Sequence, residues 1–319
     1  MPSPAGPVVV LAGGTGGAKL ARGMLDVVGD ELVVIANTGD DIEIYGGYVS
    51  PDPDLVTFWL ADRIDERGWG LADDTFAVMD GLRALGEDVW FALGDRDLAI
   101  AVQRANALRD GARLTDAHAR IAAALGVRAR VLPMCDQPVR TRVLAGDHWY
   151  PLQEFLIRRR GEGTVQDVEF RHARAASPTP EILDALRQAR AIVIGPSNPI
   201  ISIAPILAVP AVAAAIRDTP APVVAVSPLV AGAVVKGPTA EFLRWARQPL
   251  HSDGIAALYN DLLGTPLDGL VADQPAAQLP TLRRDVRLDT TQRRREVADA
   301  TLSFALGLEH TSRAATASV

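Results

Sequence analysis

Val8-Val9-Val10-Leu11-Ala12, followed without a break by Gly13-Gly14-Thr15-Gly16-Gly17-Ala18-Lys19, is the stretch that decides the fold. Five apolar residues in a row, mostly β-branched, read as a strand buried on both faces, because a strand with one wet face alternates with polar residues. The glycines turn the chain tightly, and from Leu20 to Val28 apolar residues recur at helical spacing. Leu32–Ala36 is a second continuous apolar run. Strand, glycine turn, helix and strand make a right-handed βαβ unit and hence a parallel sheet. The expected class is α/β, a three-layer, mostly parallel Rossmann-like sheet.

Working outward, helices are expected over Val56–Ile64, Phe76–Leu85 and Ala99–Asp110, with Thr115 capping another that runs to Leu125. Val89–Leu93 and Arg128–Leu132 read as strands. From about 141 to 175, short Val- and aromatic-containing runs separated by glycines indicate a small antiparallel insertion. Pro180 starts a helix, Ala191–Ile194 and Val223–Val226 are buried strands, and a helix ending near Arg217 joins them. No linker or repeat interrupts the chain, so a single catalytic domain over residues 6–308 is expected, with a small, polar, disordered tail at 309–319.

Composition narrows the function. The 319 residues are 48% hydrophobic and carry a formal charge of -7, from 32 Lys plus Arg against 39 Asp plus Glu. The short basic runs Arg158–Arg160 and Arg293–Arg295 are flanked by acids, so no basic face for nucleic acid is expected. The single cysteine, Cys135, precludes a disulfide within the chain and favours a cytoplasmic setting. The five histidines lie at scattered positions (118, 148, 172, 251 and 310), which argues against zinc. Val8–Ala12 is far too short for a signal peptide or a membrane span, so no membrane partner is expected.

In an open parallel sheet, ligands sit where the chain leaves the carboxyl ends of strands. Gly13, Gly14, Thr15 and Gly16 bring backbone N–H groups toward a phosphate at a helix start, with Lys19 expected in the first helical turn to add positive charge. The stretch is neither GxxxxGK[ST] nor a clean GxGxxG, and a plain tight turn is the alternative. After the second strand come Asn37-Thr38-Gly39-Asp40-Asp41, whose acids suit a ribose or a hard cation. In Ser50-Pro51-Asp52-Pro53-Asp54 the prolines are expected to hold the chain extended, with Asp52 and Asp54 on one side. Oxygen ligands without His or Cys indicate Mg²⁺. Gly94-Asp95-Arg96-Asp97 ends an expected strand, and Arg96 either awaits an anion or closes an ion-pair network. Gly195-Pro196-Ser197-Asn198-Pro199 offers a hydroxyl and an amide to a polar ligand such as a base edge, against the plainer reading of a Pro-rich turn. Ser227-Pro228 and Lys236-Gly237-Pro238-Thr239 follow the Val223–Val226 strand, with Thr239 read as a helix cap and Lys236 as a phosphate contact.

Taken together, GGTGGAKL (13–20), NTGDD (37–41), SPDPD (50–54), GWG (68–70), DTF (74–76), GDRDLA (94–99), LPM (132–134), GPSNPI (195–200), VSPLV (226–230) and KGPTA (236–240) resemble the 2-phospho-lactate transferase family of coenzyme F-420 biosynthesis, including its bacterial, phosphoenolpyruvate-using branch. The resemblance implies an α/β core, Mg²⁺ dependence, a homodimer and release of GMP. It also implies a donor that is a guanosine diphosphate adduct of lactate or enolpyruvate, and as acceptor the ribityl hydroxyl of the deazaflavin Fo. On it, Asp40, Asp52 and Asp54 are the catalytic acids, and Asp40 or Asp41 together with Asp54 bind the metal. The family reads Pro-Asp-Leu-Asp-Thr where this chain has Pro51-Asp52-Pro53-Asp54-Leu55, so both acids remain and a hydroxyl is lost. The abundance of Ala and Arg points to the bacterial branch and an enolpyruvyl donor. Two other readings are a nucleotide-sugar-binding regulatory protein of a related family and an NAD-dependent dehydrogenase. The first typically has a glycine-serine stretch after its paired Asp, and the second needs a dinucleotide fingerprint; neither is present.

Overall fold

The computed structural model describes residues 6–234 and 237–308. Strand β1 (Val8–Ala12) leads into helix α1 (Gly14–Val28) and then β2 (Leu32–Ala36), which lies parallel to β1 in register from Val8 opposite Leu32 to Ala12 opposite Ala36. The chain then makes a long excursion. An antiparallel hairpin of β3 (Ile42–Ile44) and β4 (Gly47–Val49) precedes α2 (Pro51–Leu60), α3 (Ala77–Ala84), α4 (Asp95–Arg109) and α5 (Leu114–Ala124). It returns as β5 (Arg130–Pro133), parallel to β2.

A second excursion forms a three-stranded antiparallel sheet from β6 (Arg140–Ala145), β7 (His148–Pro151) and, after α6 (Leu152–Ile157), β8 (Val165–Arg171), in the order β7-β6-β8. Helix α7 (Pro180–Gln188) leads to β9 (Ala191–Ile194), which pairs with the free side of β1. Next come a short helical segment (Pro199–Ile203), α8 (Ala204–Leu207), α9 (Pro210–Asp218) and β10 (Val223–Val226). A two-stranded hairpin of β11 (Leu229–Val230) and β12 (Ala233–Val234) is followed by α10 (Thr239–Trp245), α11 (Ser252–Leu263), β13 (Gly269–Ala272), β14 (Thr281–Arg283) and α12 (Thr291–Gly307). The central sheet has seven parallel strands in the order β14-β13-β10-β9-β1-β2-β5.

The mostly parallel α/β sheet flanked by helices, expected from β1 and β2, is thus observed, with small antiparallel sheets. Alternate residues of the buried strands feed opposite layers. Val9, Leu11, Val33, Ile35, Ile192 and Ile194 face one core, while Val8, Val10, Leu32, Val34, Val193 and Val224 face the other. The first core takes in the antiparallel sheet through Val139, Val143 and Phe155. The excursion after β2 has a small core of its own, built from Val49, Met79, Phe91, Leu93, Leu98 and Ala101.

Four local expectations need correction. Val89–Leu93 is not a strand, because no neighbouring strand pairs with it; Phe91 and Leu93 instead fill the small core between α3 and α4. Pro51–Asp54 is not extended but forms the first turn of α2, a place that proline suits because the N–H it lacks has no partner there anyway. Thr115 lies inside α5, and its N–H and hydroxyl both donate to Asp136 Oδ1 at 2.8 Å. Thr239 is the first helical residue of α10 and makes no side-chain cap.

Candidate active site

The strand order reverses at β1, since the chain proceeds from β1 to β2 and β5 on one side and later to β9 and β10 on the other. A crevice opens at such a switch point, outside the carboxyl ends of the strands. The turn after β1 and the turn after β9 meet there, and glycine is what lets them. A Cβ on Gly16 would lie 2.0 Å from the carbonyl oxygen of Pro196, and one on Gly17 2.6 Å from Ser197 Oγ. Gly195 in turn passes close to Gly17 Cα. Gly14 differs, because its φ of +59° is left-handed and the nearest atom to its missing side chain is Ser202 Oγ at 3.4 Å. The start of α1 thus lies beside Ser202, and its Gly14 N–H donates to Asp52.

The turn after β2 supplies the hub. Asn37 is fully buried, and its Oδ1 accepts from Gly39 N–H at 2.7 Å. Its Nδ2 donates to Asp40 Oδ1 at 3.0 Å, Asp52 Oδ2 at 2.9 Å and the Ile201 carbonyl at 3.3 Å. Asp52, from the first turn of α2, also accepts from Gly14 N–H at 2.5 Å. Asp40 accepts from Gln153 Nε2 at 3.1 Å, a contact contributed by α6 of the antiparallel excursion. Asp41 accepts from the Ser50 hydroxyl at 2.8 Å, while its Oδ2 is buried with no hydrogen-bond partner.

These three acids are short of compensating charge. Burial, reinforced by the charges of Asp52 and Asp41, lifts Asp40 well above the ordinary carboxylate range. Burial also lifts Asp52 to about 6, against the opposing hydrogen bonds from Gly14 and Asn37. Asp41 is pushed up to about 7 by burial, despite Arg140 and the Ser50 hydroxyl. Arg140 itself donates to Glu43 at 2.8 Å and to the Tyr48 hydroxyl at 3.4 Å. Among the described residues no three acids, histidines or cysteines group closely enough to hold a metal ion by themselves. Asp40 and Asp52, however, converge on one amide nitrogen, and a carboxylate pair completed by substrate phosphates is how Mg²⁺ is commonly held. The residues present fit that ion.

Asp54 stands apart from the set. Two residues on in α2, it points away from Asp52, and both its oxygens accept from the guanidinium of the fully buried Arg104 on α4. Arg104 also donates to the Tyr48 carbonyl at 2.9 Å. His118 Nδ1 lies 3.9 Å from Asp54, and its Nε2 is 3.0 Å from the Thr57 hydroxyl.

Gly94, Asp95 and Arg96 lie at the start of α4, not at a strand exit. Asp95 accepts from Thr75 Oγ1 at 2.5 Å and from the N–H groups of Ala77 and Val78, so it caps α3. Asp74 accepts from the N–H groups of Arg96 and Asp97 and caps α4 in return. Arg96 is exposed, and its guanidinium reaches the Ala72 carbonyl at 3.4 Å. Lys19 is in the second turn of α1, not the first, with its ammonium over the Trp59 ring at 5.6 Å. Asn198 Oδ1 accepts from Ile200 and Ile201 N–H and caps the following segment, leaving its Nδ2 buried and unpartnered, as is the Ser197 hydroxyl. Ser227 Oγ accepts from Leu229 N–H at 3.1 Å, two strands away from β1. Lys236 lies outside the described residues.

The strand exits at the switch point thus gather Gly13–Gly17, Asn37, Asp40, Asp41, Asp52 and Ser197–Asn198, and the contacts described above do not join Lys19, Gly94–Arg96 or Ser227 to them. Sequence reasoning missed Ser202, Gln153 and Arg140. Ser202 alone left a trace, one helical turn after Asn198. Among the described residues no single helix is long and apolar enough to cross a membrane.

The sequence pattern of the family described as 2-phospho-L-lactate transferase CofD matches residues 8–302. A 2-phospho-L-lactate transferase of Methanosarcina mazei is 38% identical over 258 residues, covering 80% of this chain and 84% of that protein. A phosphoenolpyruvate transferase of Kitasatospora aureofaciens is 37% identical over 274 residues, covering 83% and 84%. Among solved structures, a member of the UPF0052 family from Bacillus halodurans superimposes with a TM-score of 0.60 over 93% of this chain and 99% of that one. At 16% identity that likeness speaks to the fold alone.

Proposed function

The chain belongs to the 2-phospho-L-lactate transferase family, and from that premise we propose that it transfers an enolpyruvyl-phosphoryl group from a guanosine diphosphate adduct to the terminal ribityl hydroxyl of Fo. The observation that carries this reading is the Asn37-centred pair of carboxylates at the switch point, half-buried Asp40 and buried Asp52, the second bonded to the glycine turn. A site rich in acids suits the alignment of a diphosphate and its metal ion rather than covalent catalysis.

The hydroxyl oxygen attacks the phosphorus that bears the three-carbon acid. The phosphoanhydride bond breaks, GMP departs with the electron pair, the hydroxyl proton passes to water, and a phosphodiester remains. Mg²⁺ held by Asp40 and Asp52 would neutralise phosphate oxygens. Gly14 and Thr15 bring backbone to the phosphates, and Asn37 and Gln153 hold the two acids in place. Ser197 and the Asn198 amide, both with unspent polar atoms, bind the guanosine end.

Both donors share every group that these residues touch. The relatives named for lactate and for phosphoenolpyruvate are also similar to this chain at nearly the same identity. The preference for enolpyruvate rests on the bacterial character of the composition. We further propose a cytoplasmic homodimer; light scattering of the purified protein tests the dimer, and fractionation of the source cells tests the location.

The test of the reaction is a competition assay with Fo, Mg²⁺ and equal amounts of both adducts. GMP and an acidic deazaflavin are expected, with the enolpyruvyl product about two mass units below the lactyl one, since the two acids differ by two hydrogens. Excess lactyl product would reverse the donor preference, and no product from either donor would remove the transferase reading.

A further inference from the structure

We propose that Arg104 is a positioning residue for this reaction, acting through Asp54 to fix the first turn of α2 and so aim Asp52 at the glycine turn. The inference rests on the assignment of Asp52 to the diphosphate site.

Asp52 and Asp54 are two residues apart in a helix that advances 100° per residue, so they leave it on roughly opposite sides. Asp52 reaches Gly14 N–H and Asn37. Asp54 is gripped through both oxygens by Arg104, which also donates to the Tyr48 carbonyl. One guanidinium therefore ties α4, the first turn of α2 and the end of the β3–β4 hairpin together. Rotation or sliding of α2 that would withdraw Asp52 from Gly14 must break this fork.

The lever is itself braced. Ala101, one turn before Arg104, packs where a Cβ on Gly47 would lie only 2.8 Å from its own Cβ. Asp74 and Asp95 lock the start of α4 to α3. A buried ion pair is a poor source of net stability, since well-packed apolar groups serve as well. Its planar, two-point geometry is what an apolar pair lacks. With both Asp54 oxygens engaged by Arg104, Asp54 serves α2's geometry rather than a cation.

The test compares the wild type with Arg104→Lys, Asp54→Asn and the double variant Arg104→Met/Asp54→Leu, which removes both charges together and is expected to unfold near the wild-type temperature. Turnover, donor KM, half-activating Mg²⁺ and amide hydrogen exchange at residues 13–16 are measured for each. In the double variant kcat should fall by about a hundredfold, a loss typical of slight misplacement, with donor KM little changed. Exchange at Gly14 should quicken by about tenfold in the same variant without metal or substrate, because the Asp52 acceptor is no longer held. Arg104→Lys should not restore turnover, since an ammonium lacks the fork.

Unchanged exchange, or wild-type kcat in the double variant, would overturn the proposal. So would a large rise in half-activating Mg²⁺ for Asp54→Asn that Arg104→Lys does not share, because Asp54 would then be a ligand. An inactive wild type whose Gly14 exchange still responds to the double variant would sink the transferase reading and keep the lever.

Discussion

Two groups of aspartates lie near glycines, one in the turn after β2 and the first turn of α2, the other at the starts of α3 and α4, and they behave in opposite ways. Asp40, Asp41 and Asp52 gather at the switch point, where side-chain amides, one hydroxyl and a single backbone N–H address them. Their carboxyls are all held above the ordinary range. Asp74, just before α3, and Asp95, the first residue of α4, are instead met by backbone donors at the two helix starts. The Thr75 hydroxyl and the N–H groups of Val78 and Ala77 hold Asp95 below that range. In sequence, NTGDD and GDRD look alike. The difference is that helix N–H groups meet the charges of Asp74 and Asp95 and leave those of the switch-point acids unspent, while Asp97, the last acid of GDRD, is lifted by burial to about 7.

The largest expected effect tests that contrast directly. Asp52→Asn preserves an acceptor for Gly14 and removes the charge, so turnover should fall by about 10²–10³-fold in a steady-state assay with Fo and donor, while the protein stays folded. Asp95→Asn should stay within about threefold of the wild type in the same assay, since its partners are capping groups. Equal losses from the two changes would erase the distinction.

The glycines sharpen it further. Gly16→Ala drives a Cβ onto the Pro196 carbonyl, a backbone atom, and should cost about 1–3 kcal/mol or more in denaturant unfolding. Gly94→Ala meets the Asp74 carboxylate, a side-chain group that can swing aside, and should cost less.

Asn198→Asp keeps the capping oxygen and replaces the unpartnered amide. Stability should hold, while GDP binding measured by calorimetry weakens by about tenfold, or about 1.4 kcal/mol. Asp74→Ala removes a cap only. About 1 kcal/mol of stability should be lost in chemical denaturation, with turnover unchanged.

The smallest effect concerns the Asp54 neighbourhood, which belongs to neither group. Burial, aided by the nearby Arg104 charge, lowers His118 to about 3. Below its ordinary pKa of 6.5 the unfolded chain binds a proton that the folded one refuses. The stability it contributes is therefore complete above that value and is lost as pH falls toward 3. Between pH 7 and pH 6 the loss should be about 0.7 kcal/mol, and His118→Gln should flatten it in urea titrations at the two pH values.

Much of this was legible in the chain. β1, β2, β9 and β10 are legible to the residue, because short continuous runs rich in Val and Ile, bounded by polar residues, Gly or Pro, have few other structures open to them. β5 was read about two residues early, and β13 and β14 were not read at all, being short and poorly marked. Of the site, the Gly13–Gly17 turn, Asn37, Asp40, Asp41, Asp52, Ser197 and Asn198 were picked out and come together. Lys19, Gly94–Arg96 and Ser227 were picked out on the same grounds and do not.

The local order of residues, by itself, determined the parallel sheet, the glycine turn at its first exit and the oxygen-only chemistry of the acids, since each depends on neighbours a few positions away. Only the tertiary structure decided which carboxylate meets which partner. Asp52 finds Gly14 across 38 positions of chain and Asp54 finds Arg104 across 50. Two acids that an extended strand would have aimed together were parted by the first turn of a helix. A side chain's charge state and role are set by the donors that packing brings to it, and packing joins segments whose separation along the chain carries no signal of their contact.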